Sequence, residues 1–140
     1  MTVRGGSAVA LDTSALMAFL LDEGSAEGVA EVLASASGLV VSAGTMAEVL
    51  IVAERRGIGA EMSRLLSDLG VEVEPVTAAV ARRVAEAYGR WGRGVDPAGL
   101  NFGDCFAYAL AQERGLPLLY VGDDFSRTDL PAALASRAER

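Results

Sequence analysis

Apolar and polar positions follow two periods along this chain, and the switch between them separates short apolar runs from helical stripes. Ala8-Val9-Ala10-Leu11 is apolar at every position, the pattern of a strand covered on both faces. Asp12 closes the run, Thr13-Ser14 follow as cap-type residues, and Ala15 to Leu21 continue as an apolar helix that Asp22-Glu23-Gly24 breaks. Ser25 caps a second helix with Val29, Val32 and Leu33 as its core stripe, and Gly38 ends that unit. Leu39 to Ser42 reads as the next strand. Gly44-Thr45 then turns the chain into a helix with Glu48 in its first turn and Ala47, Leu50 and Ile51 facing the core. Arg55-Arg56-Gly57 finishes it, with cations at the negative end of the dipole and glycine after them.

The second half repeats the alternation. A helix from about Ala60 to Leu69 carries Met62, Leu65, Leu66 and Leu69 on one side. Val71 to Val76 alternates apolar and acidic residues, as an edge strand with one wet face does. Thr77 caps a helix to about Trp91, with Val80, Val84, Ala87, Tyr88 and Trp91 on one face, and Gly92 to Gly99 is a loop. Asn101 caps an Ala-rich helix with Phe102, Phe106, Ala109 and Leu110 on one side, which Gly115 stops. Pro117 opens the run Leu118 to Val121, too short for a helix and therefore a buried strand, which ends on Gly122-Asp123-Asp124. Phe125 to Arg140 forms a short tail with a last turn of helix. Strands alternating with helices imply an α/β three-layer sandwich around a central, mostly parallel sheet of four to five strands. We expect one domain over residues 1–140, with its core at about 8–130.

Composition narrows the chemistry. At 140 residues and 51% hydrophobic content the chain buries a core without staples, and its one cysteine, Cys105, forms no internal disulfide. No apolar run approaches the roughly 20 residues of a membrane span, and the N-terminus lacks the pattern of a secretory signal, so a soluble, cytoplasmic protein is expected. All twelve basic residues are arginines, and histidine is absent. Ser-His-Asp and Cys-His catalysis, a Schiff-base lysine, a P-loop and a His₃ zinc site are thereby excluded. The net charge of −7 also argues against a binder that relies on phosphate contacts alone.

Carboxylates are what remain. In a parallel sheet the loops after the strands gather at one edge, and acids occupy four such places: Asp12, Glu48, Asp104 and the pair Asp123-Asp124. Each has an ordinary structural reading. Thr45-Met46-Ala47-Glu48 matches a T-x-x-E capping box, Asp104 suits a helix N-terminus, Asp12 suits an N-cap, and Asp123-Asp124 suits a turn. Together they are a liability, because like charges about 4 Å apart repel by roughly 4 kcal/mol at an effective dielectric near 20. A hard cation, Mg²⁺ or Mn²⁺, removes that repulsion and activates water against a phosphodiester. It also lets an acidic protein meet a polyanion, with a few arginines positioning the backbone.

These residues resemble the PIN-domain ribonucleases, and among them the VapC-type toxins of toxin–antitoxin pairs. The resemblance rests on Asp12-Thr13-Ser14-Ala15-Leu16, on Glu48 in an Ala-Glu-Val context, on Leu100 to Leu110 around Asp104, and on Gly122-Asp123-Asp124-Phe125. It runs from about Val9 to Leu130. It implies a Mg²⁺- or Mn²⁺-dependent endoribonuclease with RNA as substrate, a homodimer, and a VapB-type antitoxin as partner. Asp12, Glu48, Asp104 and the final pair would then hold the metal, Asp123 rather than Asp124 being the favoured fourth catalytic acid, and Thr13 and Ser14 would hydrogen-bond within the metal shell. Two alternatives differ in class. A receiver-type signalling domain needs a lysine beside its acids, which this chain lacks; a catalytically silent PIN-like module that binds metal and partner would be marked by loss of an acid, and none is missing.

Overall fold

The computed structural model describes residues 7–134. In chain order it contains β1 (Ala8–Leu11), α1 (Thr13–Leu20), α2 (Ala26–Ser35), β2 (Gly38–Ser42), α3 (Ala43–Arg55), α4 (Gly59–Asp68), β3 (Glu72–Glu74), α5 (Ala78–Trp91), α6 (Phe102–Arg114) and β4 (Leu118–Leu119). The four strands form one sheet in the order β3-β2-β1-β4, and every pairing is parallel.

The all-apolar strands behave as their pattern dictates, because successive side chains leave opposite faces of a sheet. Val9 and Leu11 of β1, Leu39 and Val41 of β2 and Leu119 of β4 enter one core, against residues of α1 to α4. Ala10, Val40 and Leu118 enter a second core, built with residues of α5 and α6. The result is a three-layer sandwich. Leu16 of α1 is fully buried in the first core. Leu16→Ala is expected to cost about 2–5 kcal/mol, read as a lower denaturation midpoint at unchanged slope.

Several details depart from the sequence expectation. Helix α3 starts at Ala43, one residue before Gly44-Thr45, because the Ser42 hydroxyl accepts from the Gly44 N–H and caps it. Thr45, Val49 and Ala53 therefore face the core, while Ala47 is exposed, Leu50 is half-buried and Ile51 is exposed. On α6, Cys105, Tyr108, Ala109 and Leu110 are buried, whereas Phe102 at the helix start points to solvent. Strand β4 ends at Leu119 instead of reaching Val121, since the Val121 N–H is donated to the Ser14 hydroxyl and not to a neighbouring strand.

Edge strand β3 covers only Glu72 to Glu74; Val73 is exposed, and both glutamates pair with Arg114 at the end of α6. The tail does not form a helix among the described residues. Ala132 makes a parallel bridge to Leu118 instead, which extends the sheet past β4 by one residue pair, and residues 135–140 lie outside the described part. Among the described residues no helix is long and apolar enough to cross a membrane.

Candidate metal centre at the carboxyl edge of the sheet

Strand order reverses at β1. Its sequence neighbour β2 lies on one side and the last strand β4 on the other, and the carboxyl ends of β1 and β4 open a crevice where open α/β sheets place their ligands. Asp12 is the first residue beyond β1, and its N–H donates to the Leu119 carbonyl at 3.0 Å. It also caps α1: its Oδ2 accepts from the Ser14 N–H (3.0 Å) and the Ser14 hydroxyl (2.6 Å). The same Ser14 oxygen accepts the Val121 N–H at 3.0 Å, so one hydroxyl ties the Asp12 carboxylate to the segment after β4. Asp12 Oδ1 is buried and has no hydrogen-bond partner among the described residues.

Glu48 comes from α3. The capping-box reading of Thr45 to Glu48 does not form, because Ser42 takes the cap and Glu48 falls in the second turn. The Thr45 hydroxyl is instead buried without a partner among the described residues. Glu48 Oε1 accepts from the Thr13 hydroxyl at 2.7 Å, which turns the carboxylate toward the start of α1. Its other oxygen lies against Gly103, so close that a Cβ there would stand 2.2 Å from Oε2.

Asp104 takes the structural place that the start of α6 offers it. It forms a reciprocal capping box with Asn101, its N–H donating to Asn101 Oδ1 at 2.8 Å and its Oδ2 accepting the Asn101 N–H at 3.0 Å. It is also buried and electrostatically tied to the other acids.

That coupling appears in the proton affinities. Burial raises the Asp12 carboxyl from its ordinary 3.8 to about 6; the Ser14 hydrogen bonds oppose the rise and the Glu48 charge adds to it. Burial likewise raises Asp104 to about 7, opposed by the Asn101 N–H and reinforced by the charges of Asp12, Asp124 and Glu48. Of the final pair, it is Asp124 whose charge reaches Asp104. Both aspartates are exposed, and the Asp123 carbonyl accepts from the Ser126 N–H and hydroxyl in the turn that follows.

Asp12, Glu48, Asp104 and Asp124 thus share one electrostatic neighbourhood at the end of the sheet. Among the described residues no three carboxylates are drawn together into a ready-made metal cage. A small hard cation does not require one, since Mg²⁺ keeps several waters and takes only one or two carboxylates. The buried, unpartnered Asp12 Oδ1 and an all-oxygen donor set fit such an ion. Sequence reasoning misses the parts played by Gly103 and Ser42. A glycine inside a helix start, where alanine would be more stable, is the available sign of a close approach.

Comparison with known proteins places the chain in a family. The PIN domain family model matches residues 9–130. Ribonuclease VapC42 of Mycobacterium tuberculosis is 42% identical over 127 residues, covering 88% of this chain and 97% of the relative. The crystal structure of Mycobacterium tuberculosis VapC20, a sarcin-ricin loop cleaving toxin, superposes with a TM-score of 0.74 at 18% identity, covering 91% of this chain and 99% of that one. A chain in a toxin–antitoxin complex from Klebsiella pneumoniae gives a TM-score of 0.67 at 20% identity, covering 86% and 92%. The last two show the shared fold, while the family match and the VapC42 identity carry the kinship: the chain belongs to the PIN-domain family, with the VapC ribonucleases.

Proposed function

We propose that this protein is a metal-dependent endoribonuclease, the toxin of a toxin–antitoxin pair, and that Asp12, Glu48, Asp104 and Asp124 are the carboxylates that hold its metal, with Asp123 beside them. The observation that carries the site is Asp12, a buried carboxylate with one oxygen lacking any partner among the described residues, with Glu48 close enough to raise its cost of ionisation, and with its own charge raising that of Asp104. A bound Mg²⁺ or Mn²⁺ supplies charge neutralisation and a water of lowered pKa for attack on phosphorus. The chain's own residues do the positioning. Ser14 fixes Asp12, leaving Oδ1 free, and Thr13 holds Glu48 by one oxygen. Asn101 anchors Asp104 at the start of α6.

RNA is the substrate by kinship with VapC42, which is named a ribonuclease, and it would have the protein act in the cytoplasm. The Klebsiella toxin–antitoxin complex supports a VapB-type antitoxin as partner, and a homodimer is the expected assembly. One PIN domain spans the chain in this reading, supported by the family match over residues 9–130.

The test is cleavage of a mixed labelled RNA with Mn²⁺ or Mg²⁺, with chelator, and with Asp104→Asn alongside. Metal-dependent cutting that the variant loses supports the reading; cutting by the variant at the wild-type rate removes Asp104 from the site. Gly103→Ala provides an independent check on Glu48. Only the end of a flexible side chain must move to admit the new Cβ, so the variant should fold, and helix propensity makes it up to about 1 kcal/mol more stable. Its cleavage is expected to fall about 10–100-fold, because Glu48 loses its seat beside Thr13. Unchanged cleavage by a variant that melts no lower than the parent would detach Glu48 from the chemistry.

A further inference from the structure

Beside the acids lies a groove that the proposed chemistry does not use. It has a volume of about 590 Å³ and runs between α5 and the start of α6, with Val84, Tyr88, Arg93, Asn101 and Phe102 among its lining residues. Phe102 is 70% exposed although it sits only two positions before Asp104, and Tyr88 on the opposite wall is 39% exposed. The Phe102 ring is held edge-on by Phe106, with centroids 5.0 Å apart and planes at 85°. Arg93 makes no ion pair among the described residues. Asn101 spends its oxygen on the Asp104 N–H, and its amide NH₂ donates no hydrogen bond among the described residues.

We infer that this groove is a subsite for an unpaired nucleobase of the RNA strand, stacked on Phe102 and Tyr88 next to the scissile phosphate, with Arg93 on a neighbouring phosphate. The inference rests on the ribonuclease reading and names the part of the substrate that this face takes. Flat aromatic walls and an unpaired cation match a base with its phosphate, since every base offers a π-face and Arg supplies charge to the backbone. The free Asn101 amide adds a donor for a base edge. A purely apolar occupant would leave Arg93 and this amide without partners. Continuity with the acids supports the same occupant, because the residue that lines the groove, Asn101, is the one that holds Asp104. A base inside a duplex is already stacked and cannot enter, so the subsite selects single-stranded or looped RNA.

The test measures binding of a labelled, mixed-sequence single-stranded oligoribonucleotide to the Asp104→Asn protein by fluorescence anisotropy, with a duplex of the same length as control. Adding Phe102→Ala should weaken single-strand binding about 10-fold, Phe102→Trp should restore it, and duplex binding should not respond. Arg93→Ala should weaken binding and lower the salt slope by about 1. In the otherwise wild-type enzyme Phe102→Ala should raise KM about 10-fold and leave kcat within about 2-fold. Single-strand binding unchanged by Phe102→Ala overturns the inference, as does failure of the Asp104→Asn protein to bind the single strand at all. Loss of dimer in light scattering with RNA binding intact assigns the groove to a second copy and overturns it too. Loss of antitoxin capture with RNA binding intact assigns the groove to the antitoxin and likewise overturns the inference. Failure of the ribonuclease reading is seen separately, as absence of metal-dependent cleavage by the unmodified protein.

Discussion

Asp104→Asn will fold, melt higher than the parent in chelator, and lose metal-dependent cleavage by at least ~100-fold, a loss of the size seen when one electrostatic contact to a transition state is removed. The opposite signs arise from one carboxylate. Asparagine keeps an oxygen for the Asn101 N–H, so the capping box and the start of α6 survive. It removes a buried charge that faces those of Asp12, Asp124 and Glu48, so the metal-free fold gains. It also removes the charge that a cation needs. Circular dichroism melting with and without Mn²⁺, run beside the cleavage assay, reads both signs; a lower melting temperature in chelator would show that the Asp104 charge does not burden the fold.

The second large effect is on pH. Asp12 and Asp104 bind protons more tightly in the folded chain, at about 6 and about 7 against 3.8 for the ordinary carboxyl. Between about pH 4 and 7 the folded state therefore carries more protons than the unfolded one, and stability falls as pH rises through that window. For Asp12 alone the difference amounts to about 3 kcal/mol once it is fully ionised. In chelator the melting temperature should drop by roughly 10 °C from pH 4.5 to pH 8. Adding Mg²⁺ or Mn²⁺ should recover most of that at pH 8 and little at pH 5, because the cation favours the ionised carboxylates. General repulsion in a chain of net charge −7 acts in the same direction, so the decisive curve is that of Asp104→Asn, which should be visibly flatter. Equal slopes in parent and variant would assign the effect to net charge and not to the site.

How far the sequence reaches depends on whether a signal is local. The all-apolar runs at Ala8 to Leu11 and Leu39 to Val41 fit only strands sealed on both faces, and that alternation assigns each residue to its core. The acids are legible because strand ends must converge. The inward face of helix α3 is misread from sequence for a physical reason. Nearly every residue from Met46 to Ala53 is apolar, so no stripe stands out, and only the Ser42 cap decides that Val49 and not Ile51 faces inward. Phe102 is misplaced by periodicity, which counts a phenylalanine as core wherever it falls in phase. That Asp104 senses the charge of Asp124 depends on the path of the chain after Gly122, at a φ of 97°, which no spacing reveals. Gly103 matters only through Glu48, which lies 55 positions away in sequence.

The clasp between Ser14 and Val121 joins residues separated by 107 positions. Asp12 relies on the same late segment, since its backbone is held by Leu119. During synthesis, a chain that has emerged only as far as Pro117 already displays Asp12, Glu48 and Asp104 but lacks the strand that fixes the first of them. Docking of this late segment is thus the step that fixes Asp12. Until the segment after α6 docks beside β1, the proposed metal site therefore stays unassembled, however early its acids are made.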